Sequence, residues 1–320
     1  MPERPAPTRA SGDAATRTIA GLGLDEVLAA AHGDDVDAAL AKLVEALAQA
    51  RSNTAPEVWA RVLAAARAHP LRAFLHLEPF TMRCYARPGG RPGDAEALDM
   101  VLRPRGPPEP LPDPVAALHR AIVRGQTARA LRFRRDALAR SIEDLVEKCD
   151  RPPRILAAGA GHLREWDHVL AFGAPLMGQI VAFDSDLDAI DRARREYPSL
   201  PIEPHAGTVR ELLLGAHAFE DLDLAYCSGL LETLERPAAT ALASALFAML
   251  RPGGTLVLTQ FLDGLTEGAF LEAFMDWHMV YRTPSETVAL VEEPIAVGVR
   301  DWSYAESPEG TLALVTLRKR

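Results

Sequence analysis

Residues Arg154 to Asp184 constrain this chain most, because they read in succession as strand, glycine turn, helix and second strand. Arg154-Ile155-Leu156-Ala157-Ala158 is an apolar run too short for a helix and stopped by glycine, which predicts a buried strand. Gly159-Ala160-Gly161 lets the backbone turn sharply and approach a ligand, since glycine has no Cβ to clash. A helix starting near His162 would then aim its free N–H groups and positive dipole end at that ligand. Asp184 closes the next apolar run, Ile180-Val181-Ala182-Phe183, at the position where an acid takes the ribose hydroxyls of a nucleoside. Together these residues predict a nucleoside-cofactor site in a doubly wound α/β sheet, with Ala158, Gly159, Gly161, His162 and Asp184 against the cofactor.

The dinucleotide fingerprint requires a glycine three residues beyond Gly161, and Arg164 stands there, which argues against NAD. The alternative is S-adenosylmethionine. The turn resembles the first motif of class I S-adenosylmethionine-dependent methyltransferases, with Ala157 in place of the usual acid and Leu163 in place of the third glycine. Its Ala-Gly-His-Leu-Arg-Glu run is similar to that of a bacterial subgroup of the family, related to proteins that make a 3-hydroxy fatty acid methyl ester signal. The resemblance implies a Rossmann-like seven-stranded sheet and a role for Glu165 at the methionine end of the cofactor.

Composition sets the outer bounds. The chain has 320 residues, 48% of them apolar, enough for a methyltransferase-sized domain and a smaller one. A net charge of −9 argues against a broad nucleic-acid surface, and Arg129, Arg132, Arg134 and Arg135 read mostly as a solvated helix face. Cys84, Cys149 and Cys227 are odd in number and widely spaced, which fits neither a disulfide framework nor a zinc site and suits a reducing cytoplasm. Neither a signal core nor an apolar stretch long enough to span a bilayer is visible in the sequence.

Three parts are expected: a disordered tail over residues 1–20, a helical domain with a lid over 21–150, and the cofactor-binding domain over 151–320. Apolar residues recur at helical spacing from Leu24 to Ala50, with a break at His32-Gly33-Asp34. Thr54 is the expected cap of the next helix, with Pro56 in its first turn. Pro79 to Asp94 is too rich in proline and glycine for a regular element. Composition alone makes it a linker; its resemblance to the subgroup's Pro-Phe-Thr-x-Arg stretch makes it a lid over the cofactor. Arg103 to Pro114 reads as a stiff connector, and Val115 to Lys148 as helices broken near Gly125.

Beyond Asp184 the pattern alternates as α/β folds do. A helix at Leu187–Arg195, a strand at Pro201–Glu203 and a helix through Leu214 precede a fourth strand at Leu222–Tyr226. By resemblance Thr208 lies beside the adenine, and Ser228 and Gly229 belong to the catalytic loop, in which Glu232 and Thr233 replace the usual Asp and Tyr. Leu250-Arg251-Pro252-Gly253-Gly254 resembles the class I turn before the fifth strand. Met275-Asp276-Trp277 followed by Tyr281-Arg282 resembles a subgroup signature that would bring Trp277, Tyr281 and Arg282 to the pocket; as a bare helix it would be core packing. Strands near Ala296–Tyr304 and Thr311–Leu317 would complete the sheet.

Methyl transfer is an in-line displacement at a sulfonium methyl, for which the protein supplies position, desolvation and at most a base. His162, His278, Glu232 and Tyr281 are the candidate bases, and Tyr226, Trp277 and Tyr281 the rings able to face a sulfonium, at about 0.5–2 kcal/mol each. The expected activity is methyl transfer to a small-molecule acceptor, of secondary-metabolite or fatty-acid type. The alternative is cyclisation of S-adenosylmethionine to azetidine-2-carboxylate and methylthioadenosine. The oligomeric state, a homodimer included, is left open.

Overall fold

A computed structural model of the chain describes residues 9–31, 35–103, 110–169 and 178–320. It comprises two compact units, Met1–Arg129 with Thr266–His278, and Ala130–Leu265 with Met279–Arg320. The units therefore do not follow a single cut near residue 150: a short later segment groups with the N-terminal helices.

The first unit opens with α1 (Arg9–Gly21), α2 (Leu24–Ala31), α3 (Val36–Ser52) and α4 (Pro56–Ala68), followed by α5 (Leu71–Leu75), α6 (Pro79–Ala86), α7 (Ala95–Leu102) and α8 (Asp113–Arg124). Buried stripes at helical spacing explain α3 (Leu43, Leu47) and α4 (Val58, Val62, Ala66). Three expectations are corrected here. The tail expected to be unstructured carries α1, whose four alanines favour helix; residues 1–8 lie outside the described residues. Thr54 donates its hydroxyl to the Ala50 carbonyl at 2.7 Å, so it closes α3, and Ala55 occupies the cap of α4. Pro79–Ala86 is helical rather than irregular: Pro79 sits in the first turn, where its missing N–H costs nothing, and Glu78 accepts from the N–H groups of Phe80 and Thr81. The irregular part is confined to the turn after it, where Arg87 is left-handed (φ 53°), before Asp94 caps α7 through the Ala97 N–H. The predicted break at His32-Gly33-Asp34 and residues 104–109 of the connector lie outside the described residues. α9 (Gln126–Lys148) follows the break at Gly125, and its residues from Ala130 belong to the second unit.

The second unit is a seven-stranded sheet: β1 (Ile155–Ala158), β2 (Ile180–Asp184), β3 (Ile202–Ala206), β4 (Leu222–Cys227), β5 (Leu250–Phe261), β6 (Val299–Glu306) and β7 (Leu312–Lys319), in the order β3-β2-β1-β4-β5-β7-β6. β1 to β5 run parallel, and β7 is antiparallel to both its neighbours. Of the remaining helices, α10 (Leu187–Glu196), α11 (Val209–Leu213), α12 (Arg236–Ala248), α14 (Pro284–Ala289) and α15 (Glu292–Gly298) belong to this unit; α13 (Gly268–Phe274) belongs to the first.

β1, β2 and β4 are buried along their whole length, as parallel strands covered on both faces must be. Alternate residues face opposite layers. Leu156 and Ala158 pack with Leu242 and Leu246 of α12, whereas Ile155 and Ala157 pack with Leu138 and Ile142 of α9 and Ile190 of α10. At the starting end of β4, buried Asp223 accepts from the Arg154 N–H at 2.7 Å and from Arg151 and Arg251. The strand order reverses between β1 and β4, which places a crevice beyond their carboxyl ends.

Candidate active site

Ala158 pairs with Phe183 on one side and Cys227 on the other, so β1 and β4 end level and β2 runs one residue further, to Asp184. Gly159 is left-handed (φ 77°), and a Cβ there would meet the Ser228 carbonyl oxygen at 2.3 Å. Its first requirement is thus the close passage of one loop against another, not only approach to a ligand. Gly161 donates its N–H to Asp184 at 2.9 Å, and Asp184 also accepts from the Asp186 N–H at 3.1 Å. The acid at the tip of β2 therefore holds the glycine turn. Leu163, standing where the family's motif has glycine, still adopts the left-handed backbone (φ 55°), a strain of about 1–2 kcal/mol for a residue with a Cβ. Burial of its side chain in the layer with Trp166 and Tyr226 offsets that strain.

The expected helix from His162 is instead a 3-10 turn, Arg164–His168. Arg164, which breaks the dinucleotide pattern, ties this turn to the end of α10 through Glu196 (2.6 Å) and the Tyr197 hydroxyl (3.2 Å). Glu165 points inward and accepts from the hydroxyl of Tyr226, and both are buried. Burial pushes the Glu165 carboxyl above the usual carboxylate range, and the Tyr226 hydrogen bond draws it part of the way back. Burial and then the neighbouring Glu165 charge hold Tyr226 firmly in its protonated, donating form. Tyr226, expected as a ring able to face a sulfonium, is core-packed and its hydroxyl positions Glu165. The Cys227 thiol beside it is pushed up to about 12, first by burial, and stays protonated.

Two further charges stand at this end of β4. Arg134 of α9 and Glu232 of the short Leu231–Thr233 turn are 6% and 2% exposed, and their nearest polar atoms are 3.8 Å apart. Arg134 donates no hydrogen bond among the described residues. No donor reaches the Glu232 oxygens with hydrogen-bond geometry, although its own N–H and that of Phe261 lie near enough to favour ionisation. Gly229 (φ 76°) leaves its side-chain direction open to the Arg134 guanidinium, 3.5 Å from where a Cβ would stand. This pair escaped the sequence reading as a pair, because its members are distant in the chain and the arginine run looks like a solvated helix face.

Other expected residues fall elsewhere. Thr208 is exposed and its hydroxyl belongs to a capping box with Glu211 at the start of α11. Arg282 is buried, but its guanidinium donates to the carbonyls of Leu231 and Leu234 and to Gln260, fixing the loop that carries Glu232. Neighbouring Tyr281 is half-buried. Trp277 and His278 belong to the first unit, and no helix runs through them: Asp276 is left-handed (φ 49°) beyond the end of α13. The Trp277 ring lies against Gly93 and edge-on to Phe80, and His278 contacts Asp276, which also pairs with Arg67 and Arg87. His162 is buried in the glycine turn.

A glycine turn held by the acid of the next strand, at the point where a doubly wound sheet reverses order, defines a nucleoside-cofactor protein. Residues 130–290, half of the chain, match the model of a family described as a methyltransferase domain, and the chain belongs to that family. It is therefore a methyltransferase-class enzyme, a class whose cofactor is S-adenosylmethionine. Among solved structures, it resembles a possible exported protein from Bordetella parapertussis, with a TM-score of 0.58 and 18% identity over 98% of this chain and 99% of that one. It is also similar to the N-methyltransferase NodS from Bradyrhizobium japonicum with S-adenosylhomocysteine, with a TM-score of 0.44 and 16% identity over 70% and 97% of the two chains. The first likeness shows a shared fold. No curated protein sequence matches this chain. The residues fit the cofactor chemically: Asp184 offers lone pairs to a diol, and the Arg134–Glu232 pair offers both signs of charge to an amino-acid end.

Proposed function

We propose that this chain transfers the methyl group of S-adenosylmethionine to an oxygen or nitrogen atom of a small-molecule acceptor, of secondary-metabolite or fatty-acid type, from the crevice beyond β1 and β4. The observation that carries the reading is the bond from the Gly161 N–H to Asp184, which couples the acid at the tip of β2 to the turn after β1. In this reading Asp184 accepts from the ribose hydroxyls, and Ala158, Gly159, Gly161 and His162 form the wall beside the nucleoside. Ser228 and Gly229 line the opposite side, and Glu165 stands at the methionine end with Tyr226 beneath it. The bound cofactor supplies an electrophilic methyl group on a sulfonium. The chain's own residues hold it, exclude water and keep Glu165 oriented. Thr208, committed to capping its helix, contributes the backbone beside the adenine rather than its hydroxyl. Tyr281 is the aromatic candidate for the acceptor side.

The test is mass spectrometry of the nucleoside formed from S-adenosylmethionine with and without a panel of small hydroxylated and amine acceptors. Acceptor-dependent S-adenosylhomocysteine supports the reading. Methylthioadenosine formed without any acceptor, well above spontaneous breakdown, overturns it.

A further inference from the structure

Arg134 and Glu232 make an unusual pair. A guanidinium has five N–H donors, and an ionised carboxylate has about four lone-pair positions. Buried groups of this kind normally satisfy one another, because an unmade hydrogen bond to a buried charge is costly. Here both are nearly inaccessible, the guanidinium donates to nothing among the described residues, and the carboxylate accepts nothing of good geometry. Their 3.8 Å separation exceeds that of a bidentate fork.

The surroundings keep both where they are. Arg282 and Gln260 fasten the turn that bears Glu232, and the Val280 N–H donates to the Glu232 carbonyl at 2.8 Å. Gly229, with no side chain, leaves room beside the Arg134 fork, which lies 3.5 Å from where a Cβ would stand. Nearby Glu165 has its own donor in Tyr226 and does not complete the pair.

We infer that Arg134 and Glu232 form a receptor for an α-amino-acid group, the guanidinium taking the carboxylate and Glu232 the ammonium, and that its ligand is the methionyl end of S-adenosylmethionine. An α-amino acid carries both charges on one carbon, so a cation and an anion held apart, each with open valences, match it as a simple carboxylic acid or amine does not. This inference rests on the proposed crevice for the cofactor and assigns its polar end. Arg134 and Glu232 are binding residues, and no proton transfer is required of either.

The test uses calorimetric titration of the full chain with S-adenosylhomocysteine, with 5′-methylthioadenosine, which lacks the amino-acid end, and with the deaminated analogue of S-adenosylhomocysteine, which lacks only the ammonium. Arg134→Gln should lose about ten- to a hundredfold in affinity for S-adenosylhomocysteine, the range of one hydrogen bond to a charged group, and keep its affinity for methylthioadenosine. Glu232→Gln should weaken S-adenosylhomocysteine and leave the deaminated analogue unchanged. Arg134→Lys, which keeps the charge and loses the fork, should fall between the wild type and Arg134→Gln; thermal melts of each variant confirm that it is folded. If Arg134→Gln and Arg134→Lys both retain the wild-type preference for S-adenosylhomocysteine over methylthioadenosine, the inference is wrong while the cofactor site stands. Equal losses for both ligands also refute it. If the wild type binds none of the three nucleosides, the crevice assignment itself fails.

Discussion

Tyr226, in the middle of the sheet, donates its hydroxyl to Glu165, which the glycine turn has brought back beneath itself. The bond joins β4 to the turn that follows β1. A buried carboxyl with its folded pKa raised contributes stability that is complete below its unfolded value and lost as pH rises through the folded one. Glu165 is such a group, and Tyr226 limits the loss by favouring the ionised form.

Tyr226→Phe should therefore destabilise the protein by about 1–3 kcal/mol at neutral pH, with a smaller loss below the ordinary glutamate value of 4.5. Denaturant melts of wild type and variant across that range check it. An equal loss at all pH values would mean that Glu165 is not the group being satisfied.

The parallel strands were legible in the sequence because short apolar runs bounded by glycine, proline or acid leave few alternatives, and Ile155–Ala158 and Ile180–Asp184 lie where expected. Helix ends that depend on distant partners were not. Pro79–Ala86 looks irregular because the glycines and prolines after Arg87 dominate the segment. What makes it a helix is Glu78, capping its first turn while held by His119 from α8. The stretch from Phe274 to Arg282 has helical composition but breaks at Asp276, whose carboxylate meets Arg67 of α4 and Arg87 of the turn after α6. The Arg134–Glu232 pair was illegible for a similar reason: Glu232 stands out as a candidate base, but Arg134 sits in a run that reads as a solvated helix face until the fold buries it beside Glu232.

Glu78 illustrates the cost of losing such a partner. Fully buried, it accepts from the Phe80 and Thr81 N–H groups, from the Thr81 hydroxyl at 2.6 Å and from His119 at 2.6 Å. Glu78→Gln puts an amide donor against one of these donors and should cost about 1–3 kcal/mol in thermal denaturation. No shift in melting would show that the carboxylate is dispensable for α6.

Asp223 separates stability from binding. It lies at the start of β4, the opposite end of the strand from Ser228 and Gly229, and it collects Arg151, Arg251 and the Arg154 N–H. Asp223→Ala should cost about 1.5–3 kcal/mol of stability and leave the affinity for S-adenosylhomocysteine unchanged below the melting temperature. A specific loss of binding in a folded variant would contradict the placement of the crevice.

The amino-acid receptor has a proton signature. Burial raises the Glu232 pKa, and the Arg134 charge only partly reverses this. An ammonium arriving beside the carboxylate favours its ionised form, so binding S-adenosylhomocysteine should release protons at pH values where free Glu232 is partly protonated. Titrations in buffers of different ionisation enthalpy measure the release, and Glu232→Gln should abolish it. Release that persists in Glu232→Gln would assign the proton to another group.

Asp184 holds the glycine turn and, in the proposed function, the nucleoside as well. The most direct measurement of this role is calorimetry of wild type and Asp184→Ala with S-adenosylhomocysteine and with NAD. We predict that the wild type binds S-adenosylhomocysteine in preference to NAD, and that Asp184→Ala loses about 1.5–3 kcal/mol of that binding while remaining folded. A folded Asp184→Ala protein with unchanged affinity, or a wild type that binds NAD tightly and ignores S-adenosylhomocysteine, would contradict it.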